Sequence, residues 1–177
     1  MFICAGDSEQ FDFAKPIGIG LINSAINLTK EILYNKPDFL IFVGSAGSYG
    51  KFNIFDIVES TSSSNIELSF FTNNSYTPID NITKTSNKIF KDETVVNSSN
   101  YISTDFKTCQ KFHQYNIGIE NMEFFSILEV AKKFNIPVAG IFIVTNYCNS
   151  DAHRDFLKNH TKAKEILIDY VKGLKRR

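Results

Sequence analysis

Three short runs of apolar residues punctuate the chain: "FICAG" at 2–6, "FLIFVG" at 39–44 and "VAGIFIVT" at 138–145. Runs of this length, each closing on small or polar residues, fit strands buried on both faces. Between them the apolar period lengthens to that of a helix. Within 21–33, Leu21, Ala25, Leu28 and Ile32 share one face. From 121 to 134, Phe124, Ile127, Leu128, Ala131 and Phe134 form a second stripe. Near the C-terminus Ala163, Ile166, Leu167, Tyr170, Val171 and Leu174 form a third. Strands alternating with helices predict an α/β fold with a largely parallel sheet, within an overall central mixed β-sheet flanked by helices.

The stretch from Glu59 to Asn100 reads differently. It is rich in Ser, Thr and Asn and alternates apolar with polar in places, which predicts antiparallel strands and loops appended to the sheet. Ile66, Leu68, Phe70, Phe71 and Tyr76 give it apolar material to bury, so disorder is not expected. With no internal repeat and no low-complexity linker, residues 1–177 read as one domain.

Composition narrows the picture. Hydrophobic residues make up 43% of the 177, enough for a sizeable core. The 19 basic and 19 acidic residues cancel, so no strong field recruits nucleic acid or a membrane surface. No apolar run approaches a bilayer span, and the first residues lack a signal-peptide pattern. Cys4, Cys109 and Cys148 are too few and scattered for a disulfide framework or a zinc site, and fit a reducing cytoplasm. His113, His153 and His160 share no ligand spacing, so no metal is expected.

Candidate chemistry gathers where the strands end. "FLIFVGSAGSYGK" places Gly44, Ser45, Ala46 and Gly47 in a glycine-rich turn after a strand, where backbone N–H groups can approach an anion or a sugar. It is not a P-loop: five residues separate Gly44 from Gly50 rather than four, and Phe52 stands where Ser or Thr is needed. "ICAGDSEQF" repeats the strand–glycine architecture, with Gly6 and a carboxylate, Glu9, which is either a base or a solvated loop residue. Tyr101 follows "VVNSSN" and suits stacking on a flat ligand or a place at a rim. Asn146, closing the third strand, is placed to donate and accept hydrogen bonds, or to make an Asx turn into a helix near Asp151. Glu123 stands two residues into its helix behind Asn121, a good N-cap. A carboxylate there is either a first-turn charge that complements the helix dipole or a group holding something.

Taken in order, these segments resemble the superfamily of nucleoside phosphorylases and methylthioadenosine/adenosylhomocysteine nucleosidases. The resemblance runs through "CAGDSE", "GIG", "KPDFLIFVGSAGS", "FDIVES" and "NSSNYIST" to "NMEFFSILEVAKKFNIPVAGIFIVTN", the last being the most specific. It is nearest to a short bacterial purine nucleoside phosphorylase. The resemblance implies that Met122 and Glu123 clamp a ribose, Glu123 taking its hydroxyls. It implies that Ser45, Gly44, Ala46, Gly47 and Gly6 line a phosphate or water site, that Tyr101 flanks the base and that Asn146 hydrogen-bonds the purine. Asn146 and Glu9 become the catalytic candidates.

The expected activity is therefore cleavage of the N-glycosidic bond of purine nucleosides, 6-oxopurines foremost, with inorganic phosphate as co-substrate and no cofactor. A homodimer or larger homo-oligomer is expected, and the 17 Phe and 7 Tyr offer surface to bury beyond one core. Three departures from the family matter. The chain is shortened between "GDSEQ" and "GIGLINS". The phosphorylases' phosphate-binding arginines are absent, one replaced by Phe42 and one lost in "DSEQ". Asn146 stands where many relatives have Asp. Backbone amides, a neighbouring subunit, Lys15 or Lys51 remain as anion contacts. The alternatives are a nucleosidase that uses water activated by Glu9, and a nucleoside-binding protein without catalysis.

Overall fold

The computed structural model describes residues 1–85 and 89–174. Nine strands and four α-helices alternate along it: β1 (Phe2–Cys4), β2 (Lys15–Pro16), α1 (Gly20–Tyr34), β3 (Leu40–Ser48), β4 (Ile57–Ser60), β5 (Ser62–Ser64), β6 (Ile82–Lys84), β7 (Val95–Asn97), α2 (Phe106–Cys109), β8 (Ile117–Glu120), α3 (Phe124–Lys133), β9 (Val138–Tyr147) and α4 (Ala152–Leu174). All nine strands join one mixed sheet, as the sequence pattern predicts.

β3 is its spine. One edge pairs in parallel with β9 along its whole length. The other edge pairs in parallel with β1 at Ile41 and Phe42, then antiparallel with β8 at Gly47 and Ser48. β8 continues through β7 to β5 by parallel pairing. β4, which runs almost directly into β5, lies antiparallel to β9. The segment 57–64 thus touches both ends of the path β9–β3–β8–β7, and the sheet closes on itself.

The two-residue period of β3 and β9 sends side chains to two cores. Phe42, Val138, Phe142 and Val144 meet Leu28 and Ile32 of α1 and Phe124, Ile127, Leu128 and Ala131 of α3. Val43, Ile141 and Ile143 meet Ala163, Leu167 and Val171 of α4. Each Val, Leu, Ile or Phe among them, fully buried, contributes about 1.5–3 kcal/mol of transfer free energy. Helices therefore cover both faces, which leaves the open ends of the strands as the place for a site.

Several expectations shift in detail. The glycine-rich "turn" after "FLIFV" is strand: β3 runs on through Gly44–Ser48, and the chain turns only afterwards, at Gly50. The Ser-rich stretch is mixed rather than antiparallel, since β5 pairs antiparallel with β6 but parallel with β7. On α1 the buried positions are Gly20, Ser24, Leu28 and Ile32, so the stripe is rotated from the predicted Leu21–Ala25 line. The physical reason is a hydroxyl pair: Ser24 and Ser126 share a buried hydrogen bond of 2.6 Å between α1 and α3, making a polar residue tolerable there. The predicted apolar stripes of α3 and α4 hold, with Phe134, Ile166, Tyr170 and Leu174 at their half-buried margins. The three cysteines are free and buried.

Candidate active site

A cavity of about 290 Å³ opens at the carboxyl ends of β1, β3 and β9, where they meet the end of β8 and the first turn of α4. Gly6, Glu9, Ser45, Ala46, Gly47, Tyr101, Met122, Glu123 and Asn146 all line it, so residues far apart in sequence share one concave surface. Gly44 does not line it. Its role is to leave room, because a Cβ at this position would stand 3.2 Å from Glu9 Oε2 and 3.0 Å from the Phe42 ring.

Glu9 follows a tight turn in which its own N–H donates to Gly6 O at 3.0 Å. The Ser45 N–H donates to Glu9 Oε1 at 2.9 Å, which ties this carboxylate to β3 and leaves Oε2 as a further acceptor. Glu123 answers the question its position poses in an unexpected way. It precedes α3 rather than standing inside it, at the N-cap position, yet makes no cap bond to that helix. The capping is done by Asn121, whose Oδ1 accepts from the N–H groups of Glu123 and Phe124 at 2.9 and 3.0 Å. Glu123 Oε1 instead accepts from the N–H of Gly20, the first residue of α1, at 2.8 Å. The neighbouring Leu21 N–H donates to Asn100 Oδ1. One oxygen of Glu123 therefore caps a distant helix while the side chain faces the cavity. At 3% exposure it is desolvated, and burial pushes its carboxyl up to about 7. The Gly20 bond works against that shift, and the charge of Glu9 adds to it.

Asn146 is 7% exposed; its Oδ1 accepts from the Thr145 hydroxyl at 2.9 Å and its Nδ2 donates to Tyr147 O at 3.2 Å. The Asx turn leading into α4 belongs to Asn149, whose Oδ1 accepts from Asp151 N, so Asn146 is not spent on it. Tyr101 is 83% exposed at the rim, beside Ile102. Its ring makes no aromatic pair among the described residues, which leaves both faces open.

The cavity also contains groups that the sequence reading did not place in the site. Glu120, Asn121, His153 and Phe156 line it. Asn121 Nδ2 donates to Ser45 O at 3.2 Å and so couples the β8–α3 junction to β3. A sequence signal existed for Glu120: it is the lone charge closing the apolar strand "IGIE". Among the described residues no Lys or Arg lines the cavity. Phe42 is fully buried among Phe124 and Phe142. Lys15 pairs with Glu31, and Lys51 Nζ donates to Glu93 O at 2.9 Å, both outside the lining. Among the described residues no cluster of His, Cys, Asp and Glu is arranged to hold a metal ion, and no helix is long and apolar enough to cross a membrane.

A closed mixed sheet with helices on both faces and its pocket at the strand ends defines an α/β fold with its site at the carboxyl ends of the strands. No protein-family model and no curated protein sequence matches the chain. Solved structures do. The methylthioadenosine/adenosylhomocysteine nucleosidase of Helicobacter pylori, solved as an Asp-to-Asn variant with 5'-methylthioadenosine in its active site, superposes with a TM-score of 0.77 at 20% identity, covering 92% of this chain and 79% of that one. A futalosine hydrolase mutant of the same organism gives 0.75 at 19% identity, with 90% and 77% covered. The corresponding nucleosidase of Streptococcus pneumoniae, in complex with 8-aminoadenine, gives 0.72 at 15% identity, with 96% and 95% covered. These neighbours belong to the superfamily that the sequence resembles, and the chain has their fold.

Proposed function

We propose that this protein is a nucleosidase that hydrolyses the N-glycosidic bond of purine nucleosides with water. The observation that carries the reading is one cavity holding Glu9, Glu123 and Asn146 together without a lysine or arginine in its described lining. Phosphorolysis, the first expectation from sequence, needs a site for a dianion, and Arg or Lys is its usual holder. Three carboxylates around the cavity favour a neutral nucleophile instead. The fold neighbours named as hydrolases or nucleosidases point the same way.

In this reading Glu9 takes a proton from the attacking water, its carboxylate held by the Ser45 N–H. Glu123 accepts hydrogen bonds from ribose hydroxyls, with Met122 packed beneath the sugar. Such contacts strengthen as the sugar becomes oxocarbenium-like and supply several kcal/mol. Tyr101 flanks the base. Asn146 turns its carboxamide to the purine and donates to N7 or O6, a preorganised contact of about 3 kcal/mol when charge develops on the leaving group. The carboxamide N–H can donate to O6, so 6-oxopurine nucleosides, whose leaving anion spreads charge onto that oxygen, are the better substrates.

Association extends the reading. Ile22, Ile26, Leu33 and Tyr34 of α1 are exposed, and Ile19, at the start of that helix, reaches the cavity. A second copy of the chain covering this face would bury apolar surface and wall the pocket. The test of the function is incubation with inosine, guanosine, adenosine and methylthioadenosine, with and without phosphate. Release of free base without phosphate is the expected result. Release only with phosphate means a phosphorylase, and binding without release means a non-catalytic nucleoside receptor.

A further inference from the structure

Gly47 sits between two functional side chains in adjacent strands. It pairs antiparallel with Glu120 of β8 on one edge and parallel with Asn146 of β9 on the other. Directly paired residues project to the same face of a sheet, so carboxylate, glycine and carboxamide form one rung. The two side chains lean in over the glycine. A Cβ at Gly47 would stand 3.3 Å from Glu120 Cγ and 3.1 Å from Asn146 Nδ2, with Cys148 Sγ at 2.9 Å. All three rung residues line the cavity.

We propose that Glu120 is a catalytic residue, the general acid that hands a proton to the departing purine beside an asparagine that has none to give. This rests on the nucleosidase reading. As the C1′–N9 bond breaks, its electron pair leaves with the base. The base takes the Glu120 carboxyl proton, the water oxygen bonds to C1′, and the proton lost by that water passes to Glu9. Glu120 recovers its proton from solvent and Glu9 releases its own, so the sum is nucleoside plus water giving ribose plus base.

The surroundings suit an acid that is charged only part of the time. Burial raises the Glu120 carboxyl above its usual range, against the Ser103 N–H at 3.0 Å from Oε1 and the Tyr49 hydroxyl at 2.9 Å from Oε2. The other titratable groups around it are Cys148, whose thiol burial also pushes up, Cys109 behind that thiol, and Glu9, Glu123 and His153 across the cavity. Tyr49 is wholly buried and stacked on Phe112, with ring centroids 4.3 Å apart, so its hydroxyl is fixed against the carboxylate.

The experiment is the pH dependence of kcat for inosine in the wild-type protein, Glu120→Gln and Tyr49→Phe, with thermal melts to confirm folding. Glu120→Gln is expected to lose about 10²-fold or more in kcat and to lose the alkaline fall in rate, because the group whose deprotonation causes that fall is gone. Tyr49→Phe keeps the ring stack and removes one donor that favours the ionised form, so the alkaline limb moves to higher pH with the plateau retained. A carboxylate that merely anchors the Ser103 loop gives the opposite pattern: reduced or normal rates with the alkaline limb intact in Glu120→Gln, and no movement in Tyr49→Phe. Either of those outcomes overturns the assignment, and if Glu120→Gln melts before assay the Tyr49→Phe profile decides alone. Wild-type protein that releases no base from any nucleoside removes the nucleosidase reading itself, which is a different result.

Discussion

Replacing Glu123 by Gln separates a cap from a ribose clamp, because the two roles move stability and rate in different directions. In the free protein the Glu123 carboxyl titrates at about 7 against an ordinary 4.5. A raised carboxyl is fully compatible with the fold below about pH 4.5, where it is protonated in both states. As pH climbs toward 7 the unfolded chain ionises first and binds fewer protons, so stability falls across that window. At pH 8 the penalty reaches an upper bound of about 3 kcal/mol, at 1.36 kcal/mol per unit. Gln retains an acceptor for the Gly20 N–H, 2.8 Å away, and carries no charge to desolvate. Glu123→Gln is therefore expected to raise Tm at pH 8, by roughly 2–4 °C per kcal/mol for a chain of this size, and to leave it unchanged near pH 4. Catalysis should go the other way. Losing the charged acceptor for ribose hydroxyls removes about 1.5–3 kcal/mol, or roughly 10–10²-fold in kcat. The assays are melts at the two pH values and base release at pH 8. A lower Tm at pH 8 with a normal rate would refute the reasoning and leave Glu123 as a cap for α1.

The wild-type protein should cleave inosine or guanosine faster than adenosine, and Asn146→Asp should shift the balance toward 6-aminopurines by replacing the N–H that O6 accepts with a carboxylate that can accept from a 6-amino group; equal adenosine cleavage by both shows that this residue does not choose the base. Gly47→Ala should cost about 1–3 kcal/mol in a urea melt and depress the rate, since its Cβ meets Cys148, Asn146 and Glu120 at once; an unchanged rate would mean the rung is not where the base sits. The protein should run as a dimer or larger by light scattering at micromolar concentration, and a monomeric mass would contradict the proposed covering of α1.

The parts legible in the sequence are those set by local period. Continuous apolar runs marked β3 and β9, and 3.6-residue stripes marked α3 and α4, because burial on one or both faces writes itself into neighbouring positions. The grouping of Glu9, Tyr101, Met122, Glu123 and Asn146 came from resemblance and not from period. What period cannot express is pairing over distance. The Glu123 bond to Gly20 spans 103 residues, and the Ser24–Ser126 hydroxyl pair that rotates α1 spans 102. Glu120 matters through its register against Gly47 and Asn146, which no single segment contains. Gly44 and Gly47 suggested a turn because glycine most often serves one. Here they are strand glycines whose missing side chains make space for Glu9, Glu120 and Asn146.

The most direct test of the account is the sugar product. Purified protein is incubated with inosine in phosphate-free buffer, hypoxanthine release is followed by chromatography, and the sugar is identified beside a parallel reaction containing phosphate. Hydrolysis by Glu9-activated water predicts hypoxanthine and free ribose at the same rate in both reactions, and loss of both products in Glu9→Gln. Hypoxanthine formed only when phosphate is present, with ribose 1-phosphate as its partner, would contradict it.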